Sequence, residues 1–169
     1  MTTIGELIAH SPGASSQPDV NPLTESDALQ EAQLLAVKFE AVAATASLLF
    51  ELRVALHLRE TNAGVLTARG VRRFVWSGPE RTTARTAWTV GGSTVHVDDG
   101  LFSMELGLWP GPGAQVELVA ESAAFFAGDV PGLDDVPPNY VEDDEETICS
   151  NLPNWDSPFR VISVANSGS

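Results

Sequence analysis

Clustered carboxylates are the most distinctive chemical groups of this sequence. Five acidic residues follow one another at residues 142–146, and two more precede them at residues 134–135. Calcium loops space their oxygen ligands and place a glycine at the centre, which this run does not. A dense run of carboxylates instead favours steering and orienting a basic protein. The candidate partner-binding carboxylates are Asp134, Asp135, Glu142, Asp143, Asp144, Glu145 and Glu146. The alternative interpretation is a solvated acidic loop.

Arginines form the opposite pattern in the middle of the chain. Five of them lie within residues 69–85, against the single acid Glu80. A guanidinium holds a carboxylate or a phosphate through two hydrogen bonds, so Arg69, Arg72 and Arg73 are candidate anion-binding residues. No glycine-rich phosphate loop precedes a helix here. The alternative is a solvated edge, or a set of internal partners for the acidic loop.

Residues suited to catalysis are sparse. His10, His57 and His96 show no spacing typical of a metal site, and Cys149 has no nucleophile motif around it. The sequence contains neither HExxH nor GxGxxG nor a phosphate-binding P-loop. We therefore expect no catalytic residue, no metal ion and no cofactor, and the sequence favours a function other than catalysis.

Tryptophans offer a second kind of binding residue. The chain has four, and in small β domains such residues more often belong to the core. Trp109 precedes a Pro-Gly-Pro-Gly turn and Trp155 precedes Asp156. These two are expected to be exposed, and we add them to the candidate partner-binding residues.

Size and charge exclude several classes of protein. The 169 residues include 9 basic and 23 acidic ones, for a net charge of −14. Such a surface repels nucleic acids and anionic membranes, and no apolar run is long enough to span a bilayer. The start of the chain lacks the basic region of a signal peptide, and the single cysteine excludes an intramolecular disulfide. We expect one soluble cytoplasmic domain whose natural partner is a basic protein or a cation.

Alternating apolar and polar residues predict strands along most of the chain. One long strand is predicted over residues 48–58, with Val54 on its apolar face and Glu51 and Arg53 on its polar face. Residues 38–46 fit a helix and a strand equally. Further strands are predicted over residues 65–69, 71–76, 87–90 and 94–97, with a break or bulge at Gly70. Asp98-Asp99-Gly100 predicts a tight hairpin, and the clearest hairpin joins residues 102–108 to residues 116–120.

The two ends of the chain show different patterns. Residues 1–23 are expected to form a flexible leader. A helix is predicted over residues 25–35, because Thr24 or Ser26 can cap it and apolar residues recur at helical spacing. Residues 129–147 form an extended acidic loop stiffened by prolines. Apolar anchors then return the chain to the domain, and residues 165–169 are expected to fray.

Together these elements predict a mainly β fold, with an α+β fold as the alternative. Successive strands with short turns indicate an antiparallel meander. One N-terminal helix and the long C-terminal loop then cover its apolar face. The single globular domain is expected over residues 24–164.

Four segments resemble parts of uncharacterised small acidic proteins of high-GC actinobacteria. They are LLFELRVAL at residues 48–56, ARGVRRFVW at residues 68–76, GDVPGLDDVPPNY at residues 128–140 and LPNWDSPF at residues 152–159. The resemblance covers most of the chain after the leader. It implies neither an activity nor any site residue.

Three hypotheses about function follow from these patterns. The first is a protein-binding domain that acts through its acidic surface, such as a toxin-neutralising immunity protein or inhibitor. The second is a small-molecule-binding domain or enzyme with a pocket between the sheet and the C-terminal segment. The third is a structural or regulatory subunit whose apolar face is completed by a second copy of this chain or by another chain.

Overall fold

The structure, a computed structural model, describes residues 2–9, 16–78, 87–110 and 113–167. The described part of the chain is mainly β, as expected, with seven strands and two short helices. In chain order these are α1 (Ile4–Ala9), β1 (Gln33–Glu40), β2 (Thr45–Glu51), β3 (Ala63–Ser77), β4 (Trp88–Asp98), β5 (Leu101–Trp109), β6 (Gln115–Asp129), α2 (Glu145–Ser150) and β7 (Arg160–Asn166).

The seven strands form one antiparallel sheet that closes on itself. Their order is β3-β2-β1-β4-β5-β6-β7, and an additional pairing joins β3 to β6. Six strands thus form a ring, which we call the closed sheet, and β7 pairs with the part of β6 that lies beyond β5. The chain runs as two meanders, because β4 pairs with β1 instead of continuing beside β3.

Both faces of the closed sheet are buried where β2, β3 and β6 run side by side. Phe50 and Phe125 point inward, with ring centroids 6.2 Å apart. Their neighbours Leu49 and Phe126 point outward, because successive side chains of a strand alternate between faces, and they join a second apolar cluster. Helix α1 covers that cluster through Ile4, together with the segment that precedes β7. This outer layer is where the candidate site lies.

Local turn chemistry places the hairpins where the sequence predicted them. Asp98 pairs with Leu101, and positive φ values at Asp99 (52°) and Gly100 (77°) are those of a type I′ turn. The hairpin between β5 and β6 is confirmed as well, with Leu106 opposite Val116. Gly70 has a φ of 65° beside a register shift, so the expected break is a bulge within one continuous strand, β3.

The helix predicted over residues 25–35 is not formed. Asp27 and Glu31 have positive φ values of 64° and 70°, which no right-handed helix contains. The Glu31 N–H donates to the Val90 carbonyl (2.8 Å), and the Val90 N–H donates to the Ala32 carbonyl (2.7 Å). The apolar residues that suggested a helix are buried because this segment pairs irregularly with β4, and Leu35 already belongs to β1.

The strand predicted over residues 48–58 is too long. β2 begins at Thr45 and ends at Glu51, after which the chain turns with the Ala55 N–H donating to the Leu52 carbonyl at 3.1 Å. Val54 is 44% exposed although the alternating pattern assigned it to the apolar face. Residues 38–46, which fitted two templates, contain the end of β1, a turn and the start of β2.

The described parts of the two ends are packed. Ile4 and Leu7 of α1 are buried, and so is Leu23, whereas these residues were expected to belong to a flexible leader. Residues 10–15 of that leader lie outside the described part. β7 continues to Asn166, with Ala165 buried. Strand pairing therefore includes Ala165 and Asn166, which were expected to fray. Each described helix has six residues, too few to cross the hydrocarbon core of a membrane.

Candidate functional site

The acidic residues lie on an excursion between two neighbouring strands. Residues 130–159, which we call the C-terminal segment, leave β6 at Asp129 and enter β7 at Arg160, and these two residues are paired in the sheet. Their side chains also form an exposed ion pair of 3.3 Å. The segment lies over the outer face of the closed sheet beside α1, where the Gly5 N–H donates to the Trp155 carbonyl at 2.7 Å.

Arg53 fastens the C-terminal segment to the closed sheet. Its Nη1 donates to the carbonyls of Asp134 (2.8 Å) and Val136 (3.1 Å) and to the Asn151 side chain (2.9 Å). Its Nη2 donates to the Asn151 carbonyl at 2.6 Å. The Asn151 amide in turn donates to the Val136 carbonyl at 3.1 Å. One guanidinium, with its fixed fork of donors, thus binds the C-terminal segment both before the acidic run, at Asp134 and Val136, and after it, at Asn151.

Glu51 supplies the charge that keeps this guanidinium in place. Its carboxylate accepts from the Arg53 Nε at 2.8 Å and from Nη2 at 2.5 Å, and the two side chains are 0% and 5% exposed. Buried charges persist when they are paired and hydrogen-bonded. The sequence pattern placed both residues on the polar face of a long strand and missed this role. The available signal was an opposite-charge pair two residues apart in an otherwise apolar run.

The structure exposes the predicted carboxylates on the C-terminal segment. Six of the seven are exposed, and Asp143 is half-buried. Asp144 caps α2 by accepting from the Thr147 N–H (2.8 Å), and this hydrogen bond lowers the pKa of Asp144. Asp143 accepts from the Asn139 N–H at 2.9 Å. Within the described residues no ion pair involves Asp134, Asp135, Glu142, Asp143, Asp144 or Glu146.

A cleft of about 440 Å³ separates the C-terminal segment from the closed sheet. One wall is formed by β1 and β2, and the other by α2 and the residues that follow it. Its lining is mostly apolar and includes Leu34, Leu35, Leu49, Ile148, Leu152 and Trp155. Tyr140, Cys149 and Asn154 contribute the polar side chains. The cleft lies between the sheet and the C-terminal segment, but it is open to solvent.

Tyr140 connects the cleft to the buried ion pair. Its hydroxyl donates to the Gln33 side-chain oxygen at 2.9 Å. Burial raises the pKa of Tyr140 from 10.0 to about 12, the Glu51 carboxylate adds to this increase, and the Arg53 guanidinium opposes it. Burial and the Glu51 carboxylate both disfavour the phenolate form. The hydroxyl therefore remains a hydrogen-bond donor in the cleft throughout the physiological pH range.

The Tyr140 titration is directly measurable because the chain has one tyrosine. We expect the phenolate absorbance of the folded protein to rise with a midpoint near pH 12, against about 10 in an unfolded chain. Since the folded pKa is the higher one, the unfolded state loses its proton first. The free energy of unfolding should therefore fall as pH rises from about 10 to about 12.

The control for this titration is the same protein in concentrated guanidinium, where the midpoint should return to about 10. The variant Gln33→Ala keeps the tyrosine but removes its acceptor. A folded protein that titrates at the unfolded midpoint would contradict the buried position of Tyr140.

The two tryptophans predicted to be exposed lie in different places. Trp109 is 67% exposed at the end of β5, as expected. Trp155 is half-buried and lines the cleft, and Trp109 is not part of that lining. Trp88 is buried at the start of β4, in a T-shaped contact with the exposed Trp76. The structure thus brings Trp155, but not Trp109, next to the acidic segment.

The candidate anion-binding arginines lie on β3, away from the acidic segment. Arg72 and Arg73 form exposed ion pairs with Glu121 (2.8 Å) and Glu117 (2.9 Å) of β6. Arg69 donates to the Ile8 carbonyl at 3.1 Å and lines a cavity of about 90 Å³. Their partners are therefore β6 glutamates and α1, not the acidic loop. Anion binding by these residues stays a prediction.

Histidine and cysteine side chains do not gather into a reactive group among the described residues. His57 is half-buried in the turn region after β2, and His96 is exposed on β4. Within the described ranges no three His, Cys, Asp or Glu side chains are placed to hold a metal ion. Cys149 is exposed and lines the cleft. His10 lies outside the described residues.

Comparisons with known proteins add one distant structural similarity. No protein-family model matches the chain, and no curated protein matches it. Among solved structures, an uncharacterized protein from Neisseria gonorrhoeae is similar with a TM-score of 0.43 and 12% sequence identity, over 60% of this chain and 94% of that one. A similarity at this level defines neither a common fold nor a function.

Proposed function

We propose that this protein binds a basic protein partner through the carboxylates of its C-terminal segment, as a toxin-neutralising immunity protein or a similar acidic inhibitor would. The observation that carries the proposal is a set of exposed carboxylates that form no ion pair among the described residues, on a segment fixed to the sheet by one buried arginine. These carboxylates are those of Asp134, Asp135, Glu142, Asp144 and Glu146.

Clustered carboxylates on one segment create a local negative potential. Residues 129–169 contain nine acidic residues and a single arginine, Arg160, and that arginine is already paired with Asp129. Clustered charge of one sign speeds the encounter with an oppositely charged partner and sets its orientation. A solvent-exposed run of this kind therefore favours a lysine- or arginine-rich surface.

A fixed segment makes such a surface more effective. Ordering a flexible loop during binding reduces affinity, so a segment held in one geometry avoids that loss. Arg53 binds the segment at two separate points, at Asp134 and Val136 and at Asn151. Val136 and Val141 are 66% and 90% exposed among the acidic residues. This mixture of charge and exposed apolar side chains is typical of a protein-docking surface.

The small-molecule hypothesis has less support from the geometry. It requires an enclosed cavity on which several polar side chains converge. The observed cleft is open, its lining is mostly apolar, and the Tyr140 hydroxyl already binds Gln33. The carboxylates lie on the exposed surface instead, which favours docking.

A charge-neutralised variant tests the proposal. Glu142→Gln, Asp143→Asn, Glu145→Gln and Glu146→Gln are combined, and Asp144 is kept because it caps α2. The wild-type chain is immobilised as bait, and the product of the neighbouring gene is the first candidate partner. We expect the charge-neutralised variant to bind the recovered partner at least about tenfold more weakly than the wild type does. The difference should shrink at high salt, because the screening length falls from about 8 Å at physiological ionic strength to about 3 Å at 1 M.

The matched control removes four exposed acids elsewhere. Glu60→Gln, Asp98→Asn, Asp99→Asn and Glu105→Gln change the net charge equally, away from the C-terminal segment. This control should bind like the wild type. Equal losses in both variants would assign the effect to overall charge, and equal retention of every partner would overturn the acidic-docking proposal.

A further inference from the structure

We propose that the cleft between β1 and the C-terminal segment receives an apolar side chain of the basic partner, while the carboxylates beside it bind the flanking lysines or arginines. This inference rests on the proposed function and names the chemistry of the partner's binding segment: one exposed aromatic or aliphatic residue between basic ones.

The lining of the cleft indicates an apolar occupant. Leucine and isoleucine side chains from both walls face it, and Trp155 lies at one end. A charged group placed there would lose its hydration without a partner. An apolar side chain gains from the same transfer, because surface is removed from water on both molecules. A volume of about 440 Å³ lies in the range of pockets that hold small ligands or large side chains.

The same short helix forms the wall of the cleft and its charged rim. Ile148 and Cys149 of α2 line the cleft, and Glu145 and Glu146 precede them in the helix. Residues three and four apart lie on the same side of a helix. Glu145 and Glu146 are therefore neighbours of Cys149 at the mouth of the cleft. An apolar group that enters the cleft brings its attached chain past these carboxylates.

Charge complementarity selects a peptide segment over a free apolar molecule. A free apolar molecule fills the cleft without using the carboxylates, whereas a segment with flanking basic residues uses both. Strong protein interfaces have this composition, with an aromatic or aliphatic side chain in a central pocket and polar groups around it. Because Arg53 and Tyr140 hold the opposing wall against the sheet, the cleft exists before the partner arrives.

Cys149 provides the measurement. It is the only cysteine of the chain, and it is exposed within the cleft. A neutral thiol reagent such as N-ethylmaleimide therefore reports whether the cleft is filled. The probes are short lysine- and glycine-containing peptides with a central Trp, Phe or Leu, and the matched peptide has a central Ala. Free N-acetyltryptophanamide is the small-molecule probe.

We expect the peptides with a large apolar residue to slow the modification of Cys149 at least about tenfold at saturation, and to bind at least about tenfold more tightly than the Ala peptide. Ala36 also lines the cleft, so Ala36→Leu should remove the protection. Ala43→Leu, in the exposed turn between β1 and β2, should leave it unchanged. A cooperative thermal unfolding transition checks that both variants are folded.

The outcomes separate this inference from the proposed function. In one outcome the Ala and Trp peptides bind equally well, their binding is lost in the charge-neutralised variant, and Cys149 stays reactive. This outcome would overturn the inference that the cleft is occupied and would leave the proposed acidic docking intact. Peptide binding that does not depend on the carboxylates would contradict the proposed function. Equal protection by N-acetyltryptophanamide would make the cleft a small-molecule site and overturn the inference, as would the absence of binding by every peptide.

Discussion

Replacing Arg53 by methionine is expected to lower the free energy of unfolding by about 3–5 kcal/mol, the usual cost of leaving one member of a buried ion pair without its partner. Arg53→Met keeps much of the apolar volume of the side chain but removes every donor. The Glu51 carboxylate, 0% exposed, then loses its countercharge, and the carbonyls of Asp134, Val136 and Asn151 lose a shared donor. Urea or thermal unfolding measures the loss.

Two further variants separate the causes. Arg160→Met removes an ion pair whose arginine is 67% exposed, and exposed pairs contribute about 0–1 kcal/mol, so this variant should remain close to the wild type. Combining Glu51→Gln with Arg53→Met removes the uncompensated charge and should recover part of the stability. If Arg53→Met were no less stable than Arg160→Met, Arg53 would not be the anchor of the C-terminal segment.

Replacing Gly128 by alanine is the second change with a large expected effect. A Cβ at this position would overlap the Arg160 carbonyl oxygen and would lie 2.9 Å from a ring carbon of Phe159. The first contact is with backbone, so β6 and β7 must separate to relieve it. We expect a loss of about 1–3 kcal/mol or more, as for other overpacked cores. Hydrogen exchange of the β7 amides should increase with it.

Gly107 is the matched control because it also lies within a strand of the same sheet. The nearest atom to an added Cβ there is the Gly92 carbonyl oxygen at 4.0 Å, and its φ is not positive. Gly107→Ala should be neutral or stabilising by up to about 1 kcal/mol, since alanine restricts the unfolded chain. Equal unfolding midpoints for the two variants would contradict the close approach of β7 to Gly128.

Sequence patterns predicted the parts of this fold that local chemistry controls. The hairpins at Asp99-Gly100 and between β5 and β6 follow from turn residues and alternation within a few positions. The closure between β3 and β6 joins residues far apart in the chain, such as Val65 and Phe126, and no local pattern contains it. The prediction of a helix over residues 25–35 was wrong for the same reason, because the apolar residues of this segment are buried where it pairs irregularly with β4.

The candidate site divides in the same way. Its carboxylates are visible as a run of letters, and their exposure follows from their charge. The cleft depends on how residues 140–155 lie over β1, which is a tertiary property. The alternating pattern assigned Arg53 and Glu51 to the polar face of a strand. Such a pattern does not distinguish a solvated face from one that is covered by another segment. Only the three-dimensional arrangement shows that Asp134 and Asn151 cover it.

The pairing of Asp129 with Arg160 has a consequence for how this protein can diversify. Because the ends of the C-terminal segment are adjacent in the sheet, residues 130–159 form a closed insertion, and a change in its length costs little loop-closure entropy. The strands on either side need not shift when its length changes. Insertions or deletions within the mostly exposed residues 141–147 should therefore leave the pairing of β6 with β7 unchanged, because Val130 and Phe159 at the two ends of the insertion keep their places in the second apolar cluster.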